Sequence, residues 1–327
     1  MKKANVLILD DSLLFREMLQ REIERDINIK VVAKAADAFE AGAKINELKP
    51  DILIVDVVLG KLDGVEFVKQ LLPQYNVPII FISSNPMKRS ETAQFKNSVF
   101  FQKPSETANN QYEIFFNQIR IKINSILYNC EPEVELNKMM STIIAIGSST
   151  GGAEALETVL SALPPVMPPI IISQHMPPIF TKTFSERLNA ACKLSVKEGE
   201  QGDLLIPGMV YIAPGGHHMF IKHRDSKYTI QCEKSKPNET ISPNIDKMFE
   251  SVALEAKDDK IGIVLTGMGR DGAAGLLKIK QAGGKTFAQD KETSVIFGMP
   301  KAAYELGAVE KLLPLTKIAG QIMKIIS

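Results

Sequence analysis

Short apolar, largely β-branched runs alternate with stretches of helical periodicity from the start of the chain. Val6–Leu9, Ile29–Ala33, Ile52–Val55, Ile79–Ile82 and Val99–Phe101 read as five strands. Residues 110–127 then carry Ile114, Phe115, Ile119, Ile123 and Ile126 near helical spacing, which closes a first domain over 1–127. A polar stretch broken by Pro132 follows, and 128–140 is expected to be a linker. The strand pattern resumes at Ile143–Ile146, Ile170–Ile172, Val210–Ile212 and Ile261–Leu265, which places a second domain over 141–327. Strands separated by helices predict an α/β protein with two doubly wound, mainly parallel sheets. In such sheets ligands bind beyond the carboxyl ends of the strands, so the residues just past each strand carry the functional information.

Composition narrows the picture. Across 327 residues the net charge is +1, with 39 Lys and Arg against 38 Asp and Glu, so no electrostatic footprint for nucleic acid or an anionic membrane is present. Cys130, Cys192 and Cys232 are odd in number and widely spaced, which fits free thiols rather than a disulfide framework or a zinc site. The apolar run behind Lys2 and Lys3 stops at Asp10, too soon for a signal peptide, and no uninterrupted apolar run approaches a membrane span. A cytoplasmic protein is expected.

In the first domain Asp10 and Asp11 follow the first strand, Asp56 the third, Ser83 the fourth and Lys103 the fifth. Converging carboxylates repel one another unless a cation neutralises them, and hard oxygen ligands favour Mg²⁺; a lysine and a hydroxyl opposite suit a phosphoryl group. Singly, each residue also has a structural explanation, such as a helix cap for Asp10 or Asp11. Together and in this order they resemble the flavodoxin-like receiver domain of two-component response regulators. The resemblance implies that Asp56 accepts a phosphoryl group from a partner histidine kinase, that Asp10, Asp11 and Asp56 form the Mg²⁺ pocket, and that Ser83 and Lys103 read the phosphoryl. It also places Phe100 at an aromatic switch position. Two departures stand out: Gly60 occupies a place where many receivers have proline, and the Ser83–Lys103 segment leaves room for only a stunted fourth helix.

In the second domain Gly147-Ser148-Ser149-Thr150-Gly151 fits G-x-S-x-G between a strand and a helix, its flanking glycines permitting a sharp turn with Ser149 at its centre. A glycine-rich strand-to-helix turn binds anions equally well, so the motif alone leaves nucleophile and phosphate cradle balanced. A nucleophilic serine needs a base, and the chain holds only His175, His217, His218 and His223. His175 lies just past the strand at 170–172; Gly215-Gly216-His217-His218 reads instead as a loop lining or covering a site. Asp271, in Leu265-Thr266-Gly267-Met268-Gly269-Arg270-Asp271-Gly272, supplies a carboxylate after another strand, although capping the next helix would explain it too. The order Ser, His, Asp fits an α/β-hydrolase poorly.

These segments, with Gln174-His175-Met176-Pro177, Val210-Tyr211-Ile212-Ala213-Pro214-Gly215 and Phe297-Gly298-Met299-Pro300-Lys301-Ala302, resemble the catalytic domain of chemotaxis protein-glutamate methylesterases, a Rossmann-like domain. The resemblance implies Ser149 as nucleophile, His175 as base, Asp271 as its orienting carboxylate, and backbone amides at Thr150 and Met268 in an oxyanion hole, with no cofactor for the esterase. It further implies demethylation of glutamate methyl esters, and deamidation of glutamines, on methyl-accepting chemotaxis receptors. The enzyme would then work beside membrane receptors without being inserted in the membrane. The competing readings are a receiver-linked transcription regulator, which would need a basic recognition helix, and a non-catalytic binding module, which would not need all three triad residue types.

Overall fold

The computed structural model describes residues 3–26, 28–60, 62–104, 109–127, 142–224, 227–236, 238–239, 241–257 and 259–326. The expected linker, 128–140, lies outside the described residues. The chain forms two compact units, Met1–Pro132 and Glu133–Ser327.

The first unit contains strands β1 (Ala4–Leu9), β2 (Ile29–Ala35), β3 (Ile52–Asp56), β4 (Val58–Leu59), β5 (Leu62–Asp63), β6 (Ile79–Ser83) and β7 (Ser98–Gln102). Five of them form a parallel sheet in the order β2-β1-β3-β6-β7. Strand pleating splits the apolar side chains between two cores. Val6, Ile8, Ile52 and Ile54 pack with Phe15, Leu19 and Ile119, while Leu7, Leu9, Leu53 and Val55 pack with Ile45 and Val68 on the other face. The segment before β7 holds a single 3₁₀ turn, Pro86–Lys88, and a four-residue helix, Arg89–Thr92, as short as the sequence suggested. Gly60 takes φ +46°, a backbone region closed to proline, and β4 and β5 pair across it. The turn after Asp56 is therefore one that proline could not form.

The second unit contains β8 (Ile143–Ser148), β9 (Ile170–Gln174), β10 (Ser195–Glu198), β11 (Met209–Ile212), β12 (His217–Arg224), β13 (Lys227–Lys234), β14 (Lys260–Val264), β15 (Lys285–Gln289) and β16 (Lys311–Leu313). Seven form a wholly parallel sheet, β10-β11-β9-β8-β14-β15-β16, and β12 and β13 make a separate antiparallel hairpin. From β8 the chain builds outward through β9, and from β14 it builds the opposite way. The reversal lies between β8 and β14, where the helices following the strands diverge and open a crevice at the carboxyl edge. In the first unit the corresponding reversal lies between β1 and β3.

Ile146, on β8, is fully buried in the core formed with Ile172, Ile263, Leu156 and Ile318. Ile146→Ala is expected to destabilise the second unit by about 2–5 kcal/mol. Urea unfolding should show that unit's transition moving to lower denaturant while the first unit's transition stays in place, since each has its own core; a shift of both would contradict separate cores.

Candidate active site and phosphoacceptor pocket

Three adjacent parallel strands end at the crevice of the second unit, and each delivers one side chain. Ser149 follows β8, and its amide donates to the Thr266 carbonyl at 3.0 Å; His175 follows β9, and its amide donates to the Ser148 carbonyl at 3.1 Å. These bonds extend the ladders past the strands and fix both loops. His175 Nδ1 lies 3.1 Å from Ser149 Oγ, and His175 Nε2 lies 2.8 Å from Asp271 Oδ2. Ser149 is half-buried, Asp271 is 6% exposed, and Ser148, whose hydroxyl donates to Gln174 Oε1 at 2.5 Å, is fully buried.

Asp271 does not cap the helix that follows it, whose N-cap is Gly272. Its carboxylate accepts from the amides of Ile245 (2.8 Å) and Asp246 (3.0 Å), the first turn of the helix Ile245–Glu255, and from Gly272 (3.0 Å). Burial pushes this carboxyl up, but the His175 ring N–H and the two helix amides outweigh it and hold it below its ordinary range. An ionised carboxylate accepts, so the neutral imidazole carries its proton on Nε2 and leaves the Nδ1 lone pair facing the Ser149 hydroxyl. The ring is thus reversed relative to the serine-protease arrangement, in which Nε2 faces the serine. Such a line can withdraw a proton from Ser149 as its oxygen attacks a carbonyl.

Close packing around these residues depends on glycine. A Cβ at Gly147 would lie 2.3 Å from Ile245 Cγ2 and one at Gly272 2.7 Å from the same atom, so the Ile245 side chain fills a slot between them and brings its amide to Asp271. A Cβ at Gly267 would lie 2.7 Å from Ser149 Cβ. Gly147, expected to serve the sharp turn, therefore makes room for a neighbouring helix; the positive φ of +76° falls at Gly151.

Sequence reading missed Gln174, whose amide donates to the carbonyls of Ser149 (2.9 Å) and His175 (3.1 Å) and so ties nucleophile loop to base loop. It also missed Thr266, whose hydroxyl donates to the Thr150 carbonyl at 3.0 Å. The backbone amides of Thr150 and Met268 have no acceptor among the described residues. His217 and His218 are not part of a loop: they begin β12, and His218 is 2% exposed.

At the carboxyl edge of the first unit, Lys103 Nζ donates to Asp10 Oδ2 and to Asp56 Oδ2, each at 2.5 Å. Burial pushes the Asp56 carboxyl up to about 6 against the pull of Lys103. Carboxylate oxygens of Asp10, Asp11 and Asp56 lie within 4.8 Å of one another, a hard-oxygen set of the kind that Mg²⁺ takes. The Ser83 hydroxyl accepts from the Asn85 amide at 3.2 Å, and the Ser83 carbonyl accepts from the Lys103 amide at 2.8 Å. Phe100 is buried, with the Arg89 guanidinium 5.9 Å from its ring centre.

A receiver-type acidic pocket in one unit and an aligned Ser, His and Asp in the other are the layout of a phosphorylation-regulated hydrolase. Known proteins agree. Residues 144–322 match the CheB methylesterase family model and residues 6–111 the response regulator receiver domain model. A protein-glutamate methylesterase/protein-glutamine glutaminase of Syntrophomonas wolfei is 40% identical over 100% of this chain and 99% of its own, and one of Pseudomonas aeruginosa is 38% identical over 98% and 96%. The crystal structure of the Thermotoga maritima CheB methylesterase catalytic domain is 42% identical, covers 56% of this chain and 97% of its own, and has a TM-score of 0.54. The chain belongs to the protein-glutamate methylesterase/protein-glutamine glutaminase family. No helix among the described residues is long and apolar enough to cross a membrane.

The depressed Asp271 carboxyl sets a pH dependence. Its folded value lies below the unfolded value of 3.8, so its stabilising contribution is full above about pH 4 and fades as pH falls through the lower folded value. Urea unfolding of the second unit at successive pH values should show a loss of stability below about pH 4 that is shallower in Asp271→Asn. An unchanged acid slope in that variant would contradict the depressed value.

Proposed function

We propose that the chain removes methyl groups from glutamate methyl esters of methyl-accepting chemotaxis receptors, and deamidates receptor glutamines, using Ser149, His175 and Asp271. The reading rests on one observation above all: the unbroken hydrogen-bonded line from Ser149 Oγ through both His175 nitrogens to an ionised, buried carboxylate. Ser149 Oγ bonds to the γ-carbonyl carbon while its proton passes to His175 Nδ1. The tetrahedral intermediate collapses, the C–O bond to methanol breaks, and the leaving oxygen takes the Nδ1 proton. Water, deprotonated by the same nitrogen, then splits the acyl-enzyme into glutamate and free Ser149. Thr150 and Met268 amides, without an acceptor among the described residues, suit the developing oxyanion, where one lost donor costs roughly 3 kcal/mol. An amide passes through the same intermediate and releases ammonia instead.

Asp56 is the phosphoacceptor in this reading, with a chemotaxis histidine kinase as donor. Mg²⁺, held by Asp10, Asp11 and Asp56, would supply the positive charge that phosphoryl transfer onto a carboxylate requires. Lys103 and Ser83 then contact the phosphoryl oxygens, and the receiver conformation they favour raises the esterase rate. The chain is expected to act in the cytoplasm on membrane-embedded receptors, without a nucleic-acid partner.

The test is methanol release from methylated receptor with and without a small phosphodonor and Mg²⁺. Wild type should release methanol faster with the phosphodonor, Asp56→Asn should keep the basal rate and lose the response, and Ser149→Ala should lose both. A responsive Asp56→Asn would move the phosphoacceptor elsewhere, and an active Ser149→Ala would remove the nucleophile assignment.

A further inference from the structure

A second histidine stands behind the candidate triad. His218, at the start of β12, is buried, and its Nδ1 accepts from the Asn244 backbone amide at 3.2 Å while its Nε2 lies 2.7 Å from Glu239 Oε2. Asn244 is the N-cap of the helix Ile245–Glu255, with its side chain accepting from the Lys247 amide at 2.8 Å. The next two amides of the chain, Ile245 and Asp246, are the ones that hold Asp271. From His218 the path to the base is therefore continuous: Nδ1, the Asn244 amide, the first helical turn, the Asp271 carboxylate, His175 Nε2.

The amide of Asn244 has only a hydrogen to offer, so Nδ1 must present a lone pair and the proton must sit on Nε2, donating to Glu239. Glu239 is itself held in place: Lys247 Nζ donates to Glu239 Oε1 at 2.6 Å and the Lys236 amide to Glu239 Oε2 at 2.9 Å. Farther along the same strand, the Ile221 amide donates to Ser251 Oγ at 3.0 Å and the His223 amide to Glu255 Oε2 at 3.1 Å, so β12 anchors the helix along its length and His218 sets its catalytic end.

We propose that His218 is a positioning residue for the esterase: as a neutral imidazole protonated on Nε2, it fixes the helix cap at Asn244 and thereby the two amides that hold Asp271 in line with His175. The proposal rests on the Ser149, His175 and Asp271 reading above.

Two substitutions separate the contacts of the ring. In His218→Asn the side-chain oxygen takes the place of Nδ1 and still accepts from Asn244, whereas Glu239 is lost. In His218→Gln the terminal amide takes the place of Nε2, and nothing accepts from Asn244. In the full chain, His218→Asn should keep most of the wild-type kcat, and His218→Gln should lose roughly ten- to hundredfold in kcat with KM little changed. Nitrogen-15 NMR of the wild type should show His218 with its proton on Nε2 and a bare Nδ1. The His175 Nε2–H resonance should persist in His218→Asn and weaken or shift in His218→Gln. A wild-type His218 protonated on Nδ1 at neutral pH would overturn the proposal, a measurement that needs no variant to fold. So would a folded His218→Gln with wild-type kcat and an unaltered His175 resonance. Failure of the triad reading is a different result, methanol release by Ser149→Ala, and leaves the His218 protonation pattern standing.

Discussion

The catalytic unit depends on keeping one carboxylate ionised where there is almost no water. Asp271 is 6% exposed, and a bare carboxylate in that place would take up a proton and cease to accept from His175. The chain offsets the burial with three backbone amides and one imidazole, two of the amides from the positive end of a helix remote in sequence. Much of the surrounding detail serves that contact. Gly147 and Gly272 are bare so that Ile245 can seat its side chain, and Asn244 caps the helix so that its first amides point at the carboxylate. The orientation of His175 follows, because an ionised Asp271 assigns the proton to Nε2 and the basic lone pair to Nδ1.

Both units apply one topological device to different chemistry. In a parallel sheet the carboxyl ends of neighbouring strands share an edge, and where the strand order reverses the following helices part and leave room for a ligand. Between β1 and β3 that room is lined by Asp10, Asp11 and Asp56 and bridged by Lys103. Between β8 and β14 it is lined by Ser149, His175 and Asp271. A serine nucleophile needs a base with a bare nitrogen, and a phosphoacceptor carboxylate needs positive charge to face the incoming phosphoryl. The two sites accordingly differ in the counter-charge that each carboxylate meets: amides and an imidazole for Asp271, an ammonium for Asp56.

The strands were legible because their runs of Ile and Val are short and bounded by turn residues; the structure extends those of the first unit by only a residue or two, as at Ala4–Leu9 and Ile52–Asp56. Ser149, His175 and Asp271 could be picked out because each follows such a run directly, and parallel pairing brings strand ends together. What could not be read were the contacts that hold them. Ile245 and Asp246 act through backbone amides, which every residue but proline possesses, so nothing in their side chains marks them. Gln174 belongs to the motif Gln174-His175-Met176-Pro177, but its role depends on the Ser149 and His175 loops being neighbours in space. The two glycines before His217 and His218 point to a loop, whereas β12 starts at His217 and pairs with β13 throughout. Gly147 likewise suggests a turn in the sequence, although its lack of a side chain answers to Ile245, far along the chain.

Two serines stand side by side at the end of β8, and the structure distinguishes them sharply. Ser148 is fully buried with its hydroxyl committed to Gln174, whereas Ser149 is half-buried and faces His175 Nδ1. The most direct measurement is covalent labelling with a fluorophosphonate, an analogue of the tetrahedral intermediate that marks an activated serine, followed by mass-spectrometric mapping of the modified residue. The account predicts one label, on Ser149, accompanied by loss of methanol release and absent from His175→Ala. A label on Ser148, or unimpaired labelling of Ser149 without His175, would contradict it.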